Sequence, residues 1–155
     1  MEQNSSTSDQ AFLEELRRHR AELRESMSAL EAALAAPAAA DHVRWAERVQ
    51  AALVELSGDI REHIDITEGP DGLYRGLLET SPRLSDAVAS LTHEHVLICR
   101  QVDDLLARVT APDVTEGLDR TRDLGTTLLG RLVRHRQRGS DLVFEAYDFD
   151  IGGET

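Results

Sequence analysis

The chain has 155 residues, of which 41% are hydrophobic, 30% charged and only 4% aromatic. This length fits one domain with a substantial core, and the Leu- and Ala-rich composition favours helices over a sheet. The formal net charge of -12 argues against a nucleic-acid surface, because DNA and RNA are polyanions.

The residue types that the chain lacks exclude several further chemistries. All 17 basic residues are arginine, so Schiff-base chemistry and a P-loop lysine are excluded. The single cysteine, Cys99, can form neither an internal disulfide nor a zinc knuckle. The N-terminal residues lack a signal-peptide core, and no apolar run approaches the roughly 20 residues of a membrane span. We therefore expect a cytoplasmic protein without a membrane partner.

Apolar residues recur at helical spacing in the first half of the chain and predict two amphipathic helices. Residues 1–8 have the composition of a disordered leader, and the first helix then runs to about Ala36, where Pro37 ends it. Asp41 is a suitable cap for the second helix, and the Gly-Pro-Asp-Gly segment at residues 69–72 breaks it.

The second half of the chain repeats this pattern of two long helices. A short helical piece is expected around 73–78, and Ser81 followed by Pro82 is a typical helix start. A capping box at Asp113 begins the fourth long helix. Four long helices without a predicted strand give an all-α fold class. Short loops make neighbouring helices antiparallel. The predicted fold is therefore an up-down-up-down four-helix bundle over residues 9–147, with an irregular C-terminal tail over 148–155.

Each of the four long helices carries one histidine on its apolar seam: His19, His63, His95 and His135. A buried imidazole that has lost water needs a partner, and neutral imidazole is the commonest protein ligand of metals. Seam positions are only about two in seven of a helix, so four of the six histidines are not expected there by chance. A metal that the four histidines share explains this distribution. An inert polar core is the alternative.

The positions along the helices match these histidines in pairs. At about 1.5 Å rise per residue, His19 and His95 agree in height within roughly 3 Å. His63 and His135 lie equally far along the two returning helices. If the helix tops were level, the two pairs would be roughly 10 Å apart, a difference that the loops can absorb.

Carboxylates near the histidines determine which metal fits, since mixed His and carboxylate ligands suit iron or manganese. Glu68 follows His63 by five positions, and Asp141 and Glu145 follow His135 by six and ten. The loop after Glu68 and the glycine before Asp141 allow these acids to turn back towards the core. Most of the 29 acids are expected on solvated faces. Three further candidates among them are Glu22, Glu62 and Glu94.

The other histidines and the cysteine have ordinary interpretations. His93 lies about 200° around the helix from His95, so both cannot point inwards, and His42 at a helix start is expected to be exposed. Cys99 is expected to be a small core residue, with a thiolate ligand or redox thiol as the alternative.

The whole pattern resembles the hemerythrin-like (HHE cation-binding) family over residues 10–147. The segments HIDITEGPDGLY and HRQRGSDLVFEAY resemble the His-plus-acid motifs of that family. The resemblance implies a four-helix bundle with a non-haem di-iron centre that binds dioxygen, senses or detoxifies oxygen, peroxide or nitric oxide, or stores iron. The residues that carry it are His19, His63, Glu68, His95, His135 and Asp141.

The chain departs from the family pattern on three helices. The second-helix acid comes five positions after its histidine instead of four, and Asp141 comes at the sixth position instead of the fourth or fifth. One turn from His95, where a second histidine is typical, the chain has Cys99 and Leu91. One imidazole is therefore missing, and a centre richer in carboxylate would favour oxidation chemistry over reversible oxygen binding. A centre with one metal, or with none, is the alternative.

Three functions remain open from the sequence. The first is a di-iron protein that reacts with O2, peroxide or nitric oxide, with Tyr74, Tyr147 and Cys99 as redox-active neighbours and an oxidase- or peroxidase-type activity. Glu68 and Asp141 would bridge its two irons. The second is an iron-binding store or sensor without turnover. The third is a metal-free helical adaptor with a degenerate site. No motif indicates a protein partner.

Overall fold

All regular secondary structure is helical in the computed structural model, which describes residues 2–111 and 117–150. A 3-10 turn at Pro82–Leu84 leads into the third long helix. None of the described helices is long and apolar enough to cross a membrane. The helices are α1 (Glu2–Ala35), α2 (His42–Glu68), α3 (Leu73–Thr80), α4 (Ser85–Thr110) and α5 (Leu118–Asp150).

The four long helices pack in a ring. Helix α1 packs on α2, α2 on α4, α4 on α5, and α5 returns to α1, while the short α3 contacts α2 and α5. The contact between α1 and α5 is the least extensive of the four sides. The prediction of an all-α helical bundle is therefore confirmed.

The predicted seams form the core, which consists of two apolar clusters separated by the histidines. On α4, His95 lies between Leu91 of the smaller cluster and Ile98 of the larger one. Every predicted seam residue of this helix is buried, and together they are Leu84, Val88, Leu91, His95, Ile98, Val102, Leu105 and Val109. The seam predicted on α1 begins at Phe12, which is exposed, and its residues from His19 to Leu34 are buried.

Helix starts follow the predicted chemistry only in part. Asp41 caps α2 as predicted, and its side chain accepts a hydrogen bond of 3.0 Å from the backbone N–H of Arg44. Ser81 precedes the 3-10 turn and its hydroxyl makes no capping hydrogen bond, so the helix proper begins only at Ser85. The capping box predicted at Asp113 lies outside the described residues.

Two helix boundaries differ from the predicted ones. Helix α1 begins at Glu2, within the predicted leader over residues 1–8, because no Gly or Pro before Pro37 interrupts it. Helix α5 passes through Gly139 without a break and continues to Asp150, into the predicted tail. The glycine therefore does not redirect the residues that follow it.

One arginine closes the C-terminal end of α1. Arg122 on α5 donates hydrogen bonds of 2.9 Å to the carbonyl oxygens of Leu34 and Ala36, and its guanidinium lies 5.4 Å from the ring centre of buried Trp45. These carbonyls have no partner within their own helix end, and a cation there also opposes the negative end of the helix dipole.

The contact between Gly125 on α5 and Leu34 on α1 can be tested by its effect on stability. A Cβ on buried Gly125 would lie 2.4 Å from Leu34 Cδ1, so Gly125→Ala should lower the free energy of unfolding by about 1–3 kcal/mol. Gly58 in α2 has no atom within 4 Å of an added Cβ, so Gly58→Ala should raise it by about 1 kcal/mol. Urea unfolding followed by circular dichroism measures both, and equal stabilisation by the two changes would contradict this packing.

Candidate metal centre

Histidines from the four long helices meet in the core: His19 from α1, His63 from α2, His95 from α4 and His135 from α5. Neighbouring ring centroids are 4.7–5.6 Å apart. Three of the side chains are buried and His63 is half-buried. The two pairs of histidines are therefore not separated by the height that level helix tops would give. The predicted convergence of the four histidines is confirmed.

Three of these imidazoles turn the same ring nitrogen towards a common point. His135 Nε2 lies 3.0 Å from His95 Nε2 and 3.3 Å from His63 Nε2. A neutral imidazole carries only one N–H, so two facing Nε2 atoms form a hydrogen bond only where one ring holds its proton on Nε2 and the other on Nδ1. Where all three rings hold it on Nδ1, three lone pairs face one another. A cation at this point would accept all three lone pairs.

Carboxylates stand behind two of the three rings. Glu68 Oε2 lies 2.6 Å from His95 Nδ1, and because an ionised carboxylate only accepts, Nδ1 carries the proton. Glu94 Oε1 lies 3.3 Å from His135 Nδ1, although these two atoms are not aligned for a hydrogen bond. A carboxylate on Nδ1 leaves Nε2 as the lone-pair nitrogen, the arrangement that commonly orients metal-binding histidines.

Glu94 is the most buried acid of the site, with 6% of its side chain exposed. Its second oxygen lies 2.5 Å from Arg138 Nη2, and this pair offsets the cost of removing the carboxylate from water. The sequence offers Glu94 only as one of several candidate acids. The signal that distinguishes it is its position next to His95, on the side of α4 that α5 covers.

A second group of ligand atoms adjoins the first. The side chains of His19, Glu22 and Glu62 each offer one ligand atom, and these atoms lie within 4.8 Å of one another. Glu62 Oε2 is 3.8 Å from His19 Nδ1. Both ring nitrogens of His19 are buried and have no hydrogen-bond partner among the described residues. A buried imidazole without a protein partner leaves lone-pair capacity that a cation could use.

The structure does not bring Asp141 or Glu145 to the histidines. Asp141 is exposed and accepts a hydrogen bond of 3.0 Å from Gln137 Nε2, while exposed Glu145 pairs with Arg83 at 3.0 Å. The predicted turn back to the core fails because α5 stays helical. Six residues along a helix place Asp141 about 240° around the axis from His135.

Burial keeps two of the histidines neutral. Burial, followed by the neighbouring imidazoles of His95, His135 and His19, lowers the pKa of His63 to about 3. Burial is also the main cause that lowers the pKa of His135 to about 4, followed by His95 and Arg138. Both rings are therefore uncharged at neutral pH, as a metal ligand must be.

Tyr74 and Cys99 remain protonated beside the site. The ring of Tyr74 is stacked on His95 with centroids 6.2 Å apart, and burial raises the pKa of this phenol to about 12. Burial, followed by Asp103, raises the pKa of the Cys99 thiol, which packs against the larger apolar cluster. A thiolate at Cys99 is thus disfavoured. The side chain of Tyr147 lies outside the described residues.

The two remaining histidines take no part in the site. His93 is exposed, as the helix geometry predicts. His42 is half-buried where exposure was expected, and its Nδ1 has no hydrogen-bond partner among the described residues. Its position at the first residue of α2 is at the opposite end of that helix from His63.

The described chain is thus a helical bundle with two adjoining groups of candidate ligands in its core. The comparisons found no matching family model, curated protein or solved structure. The interpretation of the site therefore depends on its own geometry. Imidazole nitrogens that face one another, with carboxylates behind them, fit a divalent transition metal in both donor type and protonation state.

The lowered pKa values predict how the metal-free protein responds to acid. Both lie below the ordinary value of 6.5, so between about pH 6.5 and pH 4 the unfolded chain binds more protons than the folded one. Stability should therefore fall as the pH drops through this window, by up to about 1.4 kcal/mol per pH unit for each histidine. Urea unfolding with a chelator at about pH 7, 6 and 5 measures the slope.

Matched variants isolate the contribution of the buried rings. The double change His63→Gln with His135→Gln should flatten the slope, whereas His93→Gln, at an exposed position, should leave it unchanged. An unchanged slope in the double variant would show that these two rings do not remain neutral in the folded chain.

Proposed function

We propose that this chain is a non-haem di-iron protein of the hemerythrin-like type, with its long helices running up-down-up-down. Its proposed role is to react with or to sense O2, peroxide or nitric oxide. The observation that carries the proposal is the convergence of three imidazole nitrogens, with His135 Nε2 at 3.0 Å from His95 Nε2 and 3.3 Å from His63 Nε2. Such a point in a buried core suits a cation better than any protein group.

Two ions are proposed because the ligand atoms fall into two adjoining groups. One group is His63, His95 and His135, and the other contains His19 with two carboxylates. The groups meet where the rings of His19 and His63 stack, with centroids 5.6 Å apart. Mixed imidazole and carboxylate ligands suit iron or manganese.

The acids have different roles in this arrangement from those that the sequence predicts. Glu68 holds the Nδ1 proton of His95 and so orients that ring, in place of bridging two ions. Glu94 places a buried carboxylate 3.3 Å from His135 Nδ1, without a hydrogen bond, and so favours Nε2 of that ring as the lone-pair nitrogen. Asp141 and Glu145 remain at the surface. The carboxylate ligands of the proposed centre are therefore Glu22 and Glu62.

The protein's own contribution is to bind, orient and exclude water. Iron bound here would supply electrons to O2, peroxide or nitric oxide. Apolar residues above and below the histidines limit the access of bulk water. A cavity of about 340 Å³ leads to His19, His63 and His135 and admits a small molecule. Tyr74 lines the same cavity and, with its raised pKa, keeps its O–H, which forms a hydrogen bond with the side chain of Thr67.

Iron loading tests the proposal directly. Metal-free protein titrated anaerobically with Fe(II) should take up about two ions and unfold at a higher temperature, because a ligand that binds only the native state stabilises it. His63→Gln with His135→Gln should abolish most of this stabilisation, and His19→Gln should remove one ion. His93→Gln is the exposed control. Uptake of less than one ion would support a metal-free helical adaptor, and full stabilisation of the double variant would show that iron binds at another place.

The same loaded protein separates reaction from storage. Consumption of peroxide over many turnovers per site would identify an oxidase- or peroxidase-type activity. Iron that is retained without such turnover, with a change in the visible spectrum on exposure to O2 or nitric oxide, would identify a sensor. Iron that is retained without either response would identify a store.

Removing the charge of Glu94 tests the orienting role of the buried acid. Glu94→Gln keeps the size of the side chain but weakens its hold on His135 Nδ1, so Fe(II) affinity should fall about 10- to 100-fold. Glu55→Gln, at an exposed position on α2, is the control with the same change of charge. Unchanged affinity in Glu94→Gln, measured by competition with a chelator, would leave Glu94 only its ion pair with Arg138.

A further inference from the structure

A cluster of arginines lines the cavity beside the histidines, in a chain whose net charge is -12. Arg20 and Arg24 lie one turn apart on α1, and Arg136 faces the same cavity from α5. Arg20 donates a hydrogen bond of 2.9 Å to Ser140 Oγ, across the gap between the two helices. None of the three has a carboxylate within 4.0 Å in the described part of the chain.

This arrangement is electrostatically unfavourable by itself. Burial lowers the pKa of Arg136, and the nearby charges of Arg24 and Arg20 lower it further. Acidic side chains are plentiful in this chain, yet other arginines take them, as Arg138 takes Glu94. Arg136 is half-buried, while Arg20 and Arg24 are exposed, and positive groups that line a cleft together attract an anion into it.

The shape and walls of the cavity define the rest of the ligand. Its volume of about 340 Å³ is in the range of small-molecule sites. It lies on the side of the ring where α1 and α5 contact each other least, so it opens between those two helices. Apolar side chains make up much of its wall, and these are Leu16, Leu23, Ile66, Leu73, Val133 and Val143.

We propose that this cavity binds a small organic carboxylate with an apolar body. Guanidinium groups match a carboxylate with paired N–H donors, so Arg24 and Arg136 hold the charged end, and Arg20 adds to the field. The apolar body lies against the aliphatic wall, with Tyr74 and the histidines at the inner end. This binding does not require a metal. If the proposed iron centre exists, the ligand lies beside it.

The test uses chelator-treated full-length protein and octanoate, followed by isothermal titration calorimetry. One site per chain should bind octanoate, and Arg24→Gln with Arg136→Gln should weaken binding at least tenfold. Arg134→Gln is the matched control, because it lies on the same helix and does not line the cavity. Arg20→Gln, at an exposed position, should weaken binding several-fold and gives an independent result if the double variant unfolds.

Comparison anions distinguish an amphipathic ligand from a bare charge. Inorganic phosphate and chloride at matched ionic strength should bind at least tenfold more weakly than octanoate, since they cannot use the apolar wall. No heat from octanoate, unchanged binding in the double variant, or phosphate binding as tight as that of octanoate would each overturn the proposal. Because the protein is free of metal throughout, none of these outcomes depends on whether iron binds.

Discussion

The burial of four imidazoles in one core is the constraint on which the rest of the structure depends. Each interrupts an apolar seam, and together they separate the larger cluster of core residues from the smaller one. A core with buried polar groups that lack hydrogen-bond partners is less stable than an apolar core. Glu68 accepts a hydrogen bond from the outward nitrogen of His95, and Glu94, which is paired with Arg138, places its charge beside the outward nitrogen of His135. The inward nitrogens remain for a ligand.

The convergence of the histidines could be predicted from the sequence because it depends on one property of each helix. A residue at seam spacing must face the core, and four seams that each carry one histidine must bring those rings to the same axis. The third seam shows this most clearly, since His95 is its one polar member and all its positions are buried. The bundle follows from the same pattern.

The sequence names the candidate acids, but their roles could not be predicted because each role depends on a second helix. Glu94 lies about 100° around α4 from His95, off the seam, and is buried because α5 covers that side. The expected role of Asp141 required a break at Gly139, and a glycine inside a long helix weakens it without necessarily ending it. The contact of Arg122 with the end of α1 likewise depends on the distance between helices, which a single helix pattern does not contain.

The charges around the site have opposite signs on its two sides. Carboxylates at Glu22, Glu62 and Glu94 make the core favourable for a cation, while the arginines of the adjoining cavity make it favourable for an anion. A cation in the core and a carboxylate in the cavity would attract each other, and the thermodynamic coupling between them must be equal in both directions. The same arginines repel a cation when the cavity is empty. If both proposed ligands bind, the grouping of these arginines would make the affinity for the metal depend on the occupant of the cavity.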